Sequence, residues 1–117
     1  MAQSSNNSNV NKGMNMEIKV IESAGEATAF LEGRFDHNGC AKFQQHIIPL
    51  VTQVGIKSIR LDFSGVSYLD SSALGTLILL RDKAIHHDHL PVVIAQAHGP
   101  VLQVLKVANF TRVMTVE

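Results

Sequence analysis

Asp70, Ser71 and Ser72 stand together between the alternating stretch Ser58 to Phe63 and a run from Ser71 to about His87, the clearest helix pattern in the chain. The first turn of a helix exposes unpaired N–H groups and the positive end of the backbone dipole. A phosphate placed there is electrostatically favoured. Aspartate and serine are also the commonest caps of a helix start. On residue chemistry alone, the three fit either a plain cap or a phosphoacceptor site, and either serine could be the acceptor.

The helix behind them is apolar nearly all round, reading Ala73-Leu-Gly-Thr-Leu-Ile-Leu-Leu80. Its spacing predicts Ala73, Leu74, Leu77, Ile78 and Ile85 toward a sheet, with Gly75, Leu79, Asp82 and His86 outward. A glycine near the first turn costs up to about 1 kcal/mol relative to alanine. With an outward Leu79 beside it, Gly75 would give a flat apolar spot where another backbone can approach. Packing of Gly75 against a neighbouring loop is the other account.

Other chemistry-bearing groups lead less far. His86, His87, Asp88 and His89 are rich in metal-ligand types, but a helical site needs i, i+3 or i, i+4 spacing. Leu90-Pro91 ends the helix there, so the run reads as a solvated loop. Cys40 near a helix start, with His37 and His46 close in sequence, lacks an orienting third group and reads as a small buried side chain. No carboxylate pair is set for acid–base work, and no GxxxxGK loop occurs. Neither an enzyme nor a bound metal or cofactor is expected.

Composition narrows the partners. The 117 residues carry ten basic and ten acidic side chains, a net charge of zero, which argues against nucleic acid. No basic amphipathic stretch points to a membrane surface. The longest uncharged run, between Asp88 and Lys106, is broken by Pro91, Gln96, His98, Pro100 and Gln103, unlike a membrane span. The single Cys40 excludes an internal disulfide and fits a reducing, cytoplasmic setting. One Tyr and no Trp disfavour base or sugar stacking.

The elements that would hold Ser71 follow from periodicity. Residues 1–15, with five Asn and three Ser, read as a disordered tail without a secretory signal's apolar core. Residues 16–117 read as one domain. Met16, Ile18 and Val20 predict a strand, the Ala24-Gly25-Glu26 turn a hairpin, and Ala27, Ala29 and Leu31 a second strand. Gly39 to Gln53 predicts a helix capped by Asn38, with Pro49 kinking it or splitting off its last turn. Ser58 to Phe63 is a third strand and Pro91 to Ala95 a fourth, buried on both faces. A helix starts at Pro100, and Arg112 to Val116 is the last strand. The order β-β-α-β-α-β-α-β predicts an α/β fold, a mixed β-sheet with right-handed crossovers and packed helices on one face or both.

Asp70-Ser-Ser-Ala-Leu-Gly75 after the strand Ile59 to Phe63 resembles the signature of STAS-domain anti-sigma-factor antagonists. The resemblance runs from about Met16 to Glu117 and includes Gly33-Arg-Phe-Asp36 and Gly99-Pro100-Val-Leu. It implies a STAS-like domain that, when unphosphorylated, binds and sequesters an anti-sigma factor or a related serine-kinase switch protein. It also implies phosphorylation of the first serine, Ser71 rather than Ser72, and a cognate serine phosphatase that reverses it. The implied docking surface comprises Asp36, Asp70, Ser71, Ser72, Gly75 and Leu79. STAS domains also serve as constitutive subunits of larger assemblies such as transport complexes, the alternative reading. Two departures stand out. Ala73 occupies a position where the family commonly has glycine, and the C-terminal helix that many members carry after the last strand is not seen in this sequence.

Overall fold

The computed structural model describes residues 16–117. The expected tail, residues 1–15, lies outside the described residues. Strands β1 (Glu17–Ser23) and β2 (Glu26–Phe35) form the predicted hairpin. Its turn residues Ala24 and Gly25 both have positive φ, 51° and 86°, as a tight two-residue hairpin requires. Helix α1 (His37–His46) follows, then a 3₁₀ turn over Ile48–Thr52, so Pro49 splits the predicted helix rather than kinking it. Strand β3 (Ser58–Leu69) leads into helix α2 (Ser71–Ile85). Strand β4 (Val92–Ala95), helix α3 (Gly99–Val107), a 3₁₀ turn over Phe110–Arg112 and strand β5 (Thr115–Val116) complete the chain.

The element order is the expected one. The sheet runs β1-β2-β3-β4-β5, with β1 antiparallel to β2 and all later pairs parallel, each reached through a helical crossover. Alternation along the strands decides where the helices lie. Ala27, Ala29, Leu31, Ile59, Leu61 and Phe63 are buried, whereas Thr28, Phe30, Arg60 and Asp62 on the opposite face are not. The helices therefore cover one face and leave the other open. Phe35, Phe43 and Phe63 join β2, α1 and β3 in that core. The Phe35 and Phe43 rings stack at 5.1 Å, and Phe63 meets Phe35 edge-on at 6.3 Å.

Several boundaries differ from expectation, each for a local reason. β3 continues past Phe63 to Leu69, and β2 past Leu31 through Gly33 to Phe35. Register irregularities between Phe30 and Arg34 break the period of two, so the second half of each strand reads as loop. The two backbones approach so closely there that a Cβ on Gly65 would lie 3.0 Å from the Leu31 carbonyl oxygen. Asn38 is not the cap of α1. The Asp36 carboxylate accepts from the Asn38 and Gly39 N–H groups at 3.1 and 3.2 Å and starts the helix two residues earlier.

On α2, Ile78 and Ile85 are 36% and 37% exposed, against expectation, while Thr76, Leu80 and Ala84 are buried with Ala73 and Leu77. An all-apolar helix has no pattern to say which face turns inward. β4 is fully buried only at Ile94 and Ala95, whereas Val92 and Val93 are half-buried. β5 is shorter than the predicted strand, the turn over Phe110–Arg112 taking up its start.

Candidate functional site

β2 and β3 are parallel and end side by side, the Asp70 N–H donating to the Phe35 carbonyl at 3.4 Å. Each strand then gives way to a helix through an aspartate cap, Asp36 for α1 and Asp70 for α2. The carboxyl ends of parallel strands are where open α/β sheets place their ligand sites. Two helix N-termini thus meet at one corner, and their free N–H groups make it electropositive.

Within that corner the two serines differ. Ser72 is half-buried. Its hydroxyl donates to Asp70 Oδ1 at 2.6 Å and accepts from the Cys40 thiol at 3.7 Å. Ser71, first residue of α2, is exposed, and among the described residues no hydrogen bond holds its hydroxyl. Asp70 also accepts from the Ala73 N–H at 3.1 Å. Burial pushes the Asp70 carboxyl up, but the Ser72 hydroxyl and the N–H groups of Ala73, Ser72 and His37 outweigh it and hold it below its ordinary value. Asp36 is half-buried, with Arg34 Nε 3.5 Å from its Oδ2, and the Arg34 guanidinium lies 3.9 Å above the Tyr68 ring.

Gly75 is exposed, and a Cβ built on it would meet no atom within 4 Å. That removes the packing account of this glycine. Leu79, one turn on, is 37% exposed. On the other flank of α2 an open apolar groove of about 430 Å³ runs between Ser71 and Leu74 and the α3 residues Val104 and Val107. Val107 is 82% exposed. Sequence reading missed this α3 wall. Its signal was present in Val104 and Val107, three residues apart, Val104 half-buried at the edge of the core and Val107 exposed.

The remaining chemistry-bearing residues lie elsewhere. Cys40 is buried in α1 against Ser72. α2 ends at Ile85, and His87, Asp88 and His89 are exposed in the turn beyond, with Asp88 and His89 at φ 61° and 54°. His86 faces back, one ring nitrogen 2.7 Å from the Asp82 carbonyl oxygen. Among the described residues no helix is long and apolar enough to cross a membrane.

This architecture, a five-stranded mixed sheet with three helices and a serine at the start of the second, is that of a STAS domain. Residues 21–116 match the family described as Mlab, STAS domain, and the chain belongs to that family. It is 32% identical over 105 residues to a STAS-domain containing protein of Pseudomonas aeruginosa (strain UCBPP-PA14), covering 86% of this chain and 99% of that one. Among solved structures it shares its fold with the anti-sigma factor antagonist SpoIIAA in its unphosphorylated form. The TM-score is 0.71 at 18% identity, over 86% of this chain and 88% of the other. The phosphorylated form of SpoIIAA, a Bacillus cell fate determinant, superposes with a TM-score of 0.66 at 15% identity, over 86% and 91%. The chain is a STAS domain similar to anti-sigma factor antagonists.

Proposed function

We propose that the protein is a phosphorylation-gated binding module. With Ser71 unmodified it binds and sequesters an anti-sigma factor or related serine-kinase switch protein through Asp36, Asp70, Ser71, Ser72, Gly75 and Leu79. Phosphorylation of Ser71 by a serine kinase releases that partner, and a serine phosphatase restores binding. The chain itself acts without catalysis, nucleic acid, membrane or cofactor, in the cytoplasm.

The observation that carries this reading is the contrast between the two serines. Ser71 offers a free, exposed hydroxyl over a helix N-terminus, between the open Gly75 surface and the apolar groove, whereas Ser72 is held by Asp70 and Cys40. A kinase reaches the first and not the second. A phosphoserine adds roughly −1.5 to −2 charge at pH 7. The α2 N-terminus holds it in place, and beside Asp70 and Asp36 it makes a concentrated acidic spot on a surface otherwise fit to be covered. Burying an unpaired charge costs several kcal/mol, and each 1.4 kcal/mol is about tenfold in affinity, so a loss of roughly 100-fold or more is expected.

The test has two parts. Intact mass of the protein from cells is expected to show a form heavier by about 80 Da, one phosphoryl group, mapping to Ser71. The purified partner is expected to bind Ser71→Ala tightly and Ser71→Asp weakly, both variants being folded. Equal affinity for the two would favour a constitutive subunit of a larger complex instead, and mapping to Ser72 would move the switch.

A further inference from the structure

A second cleft, of about 390 Å³, lies at the far end of α2, where Ile85, Leu90 and Val113 form its apolar part and Arg81 and Arg112 its charged part. At 1.5 Å per residue, Ile85 is about 21 Å along the helix from Ser71, so this surface is separate from the phosphoacceptor corner. Its helical wall is formed by Arg81, Ala84 and Ile85. Ile85 is more than a third exposed although the sequence pattern would bury it.

The charges in the cleft are uneven. Arg81 pairs only with its helix neighbour Asp82, Nη1 to Oδ1 at 3.2 Å, both groups well exposed. Such a pair is worth little and yields to a better acceptor. Arg112 makes no ion pair among the described residues, and no carboxylate lines the cleft. Arg81 stands on one wall and Arg112 on the other, and the lining between them mixes Ile85, Leu90 and Val113 with Thr111 and Thr115. Arginine binds carboxylates through a planar fork of N–H groups, which suits it to this kind of pairing. No strand lies on the outer side of β5 among the described residues, so the cleft is open to a long segment.

We infer that this cleft docks an acidic, amphipathic segment of a partner protein. The segment seats an apolar side chain against Ile85 and Leu90 and sets carboxylates on Arg81 and Arg112. The charge on both walls selects an acidic segment, and the exposed Ile85 with Leu90 supplies the apolar contact that a small anion would leave unused.

The experiment uses the full chain with the photo-crosslinking residue p-benzoylphenylalanine in place of Ile85, and separately of the exposed Thr111 on the facing wall, illuminated in cells. The adduct is digested and the joined peptide sequenced. The expected result is a segment of another protein carrying two or more carboxylates around an apolar residue. Its synthetic peptide is expected to bind the full chain, Arg112→Glu to weaken that binding at least tenfold, and Leu79→Arg, at the other surface, to leave it unchanged. A joined peptide from a second copy of this chain or from a basic segment would overturn the proposal. So would the lack of any adduct at both positions, or an Arg112→Glu affinity within twofold of the parent.

Discussion

Two adjacent serines of the same chemical type have unequal surroundings, and Asp70 causes the difference. Its carboxylate takes the Ser72 hydroxyl and the Ala73 N–H, which pins Ser72 inward and leaves Ser71 outside. Because those bonds lower the Asp70 pKa below its ordinary 3.8, its charge stabilises the fold. For a depressed carboxyl, that contribution is fully present above the unfolded value and is lost as pH falls through the lower folded one. Asn caps a helix about as well as Asp, so Asp70→Asn isolates the charge. The stability gap between parent and variant is expected to be constant from pH 7 to about pH 5 and to close below 3.8. Urea melts across that range measure it, and a gap that widens with acid would contradict the assignment. The site was partly legible at this scale. The Asp-Ser-Ser run announced itself, but Asp36 and Asn38 are both good cap residues two positions apart, and only the folded hydrogen bonds choose Asp36.

The same helix start carries a glycine in open space, and glycine inside a helix is a cost without a structural return. Gly75→Ala meets no neighbour, so it is expected to stabilise the protein by up to about 1 kcal/mol. If Gly75 is where a partner's backbone comes close, the same methyl group weakens binding. Raised thermal stability together with lower partner affinity is the expected pair of results. Unchanged affinity would take Gly75 out of the interface. Leu79→Arg, on the same exposed flank, is expected to weaken the partner while leaving the melting temperature nearly unchanged. The elements were legible where periodicity was clean, as in β1 and the hairpin. They were less so where it was not. In α2 nearly every position from Ala73 to Leu80 is apolar, so burial at Thr76 and exposure at Ile78 follow from packing that no one-dimensional pattern contains. In β3 the bulged register hid six further strand residues.

Across the whole domain, the aromatic cluster of Phe35, Phe43 and Phe63 ties β2, α1 and β3 together. Phe43 is fully buried and stacked on Phe35, and Phe43→Ala is expected to cost about 3–5 kcal/mol, a large share of a small domain's stability. Chemical denaturation would check it. With so firm a base, the proposed switch has no need to refold the protein. A negative charge at position 71 faces the positive end of α2, an arrangement worth about 0.3–1 kcal/mol in favour of the folded state. Ser71→Asp is therefore expected to melt at or slightly above the parent temperature, by up to a few degrees for a domain of this size. Its partner affinity is expected to fall at least tenfold, since the same charge must be desolvated when the surface is covered. Stability and binding thus move in opposite directions under one substitution. A local charge switch requires this, whereas a refolding switch would lower both. The decisive data are a thermal melt and a titration on the same preparation of Ser71→Asp. A melting temperature several degrees below the parent, alongside the lost affinity, would show that the charge acts by loosening the fold rather than by blocking the surface.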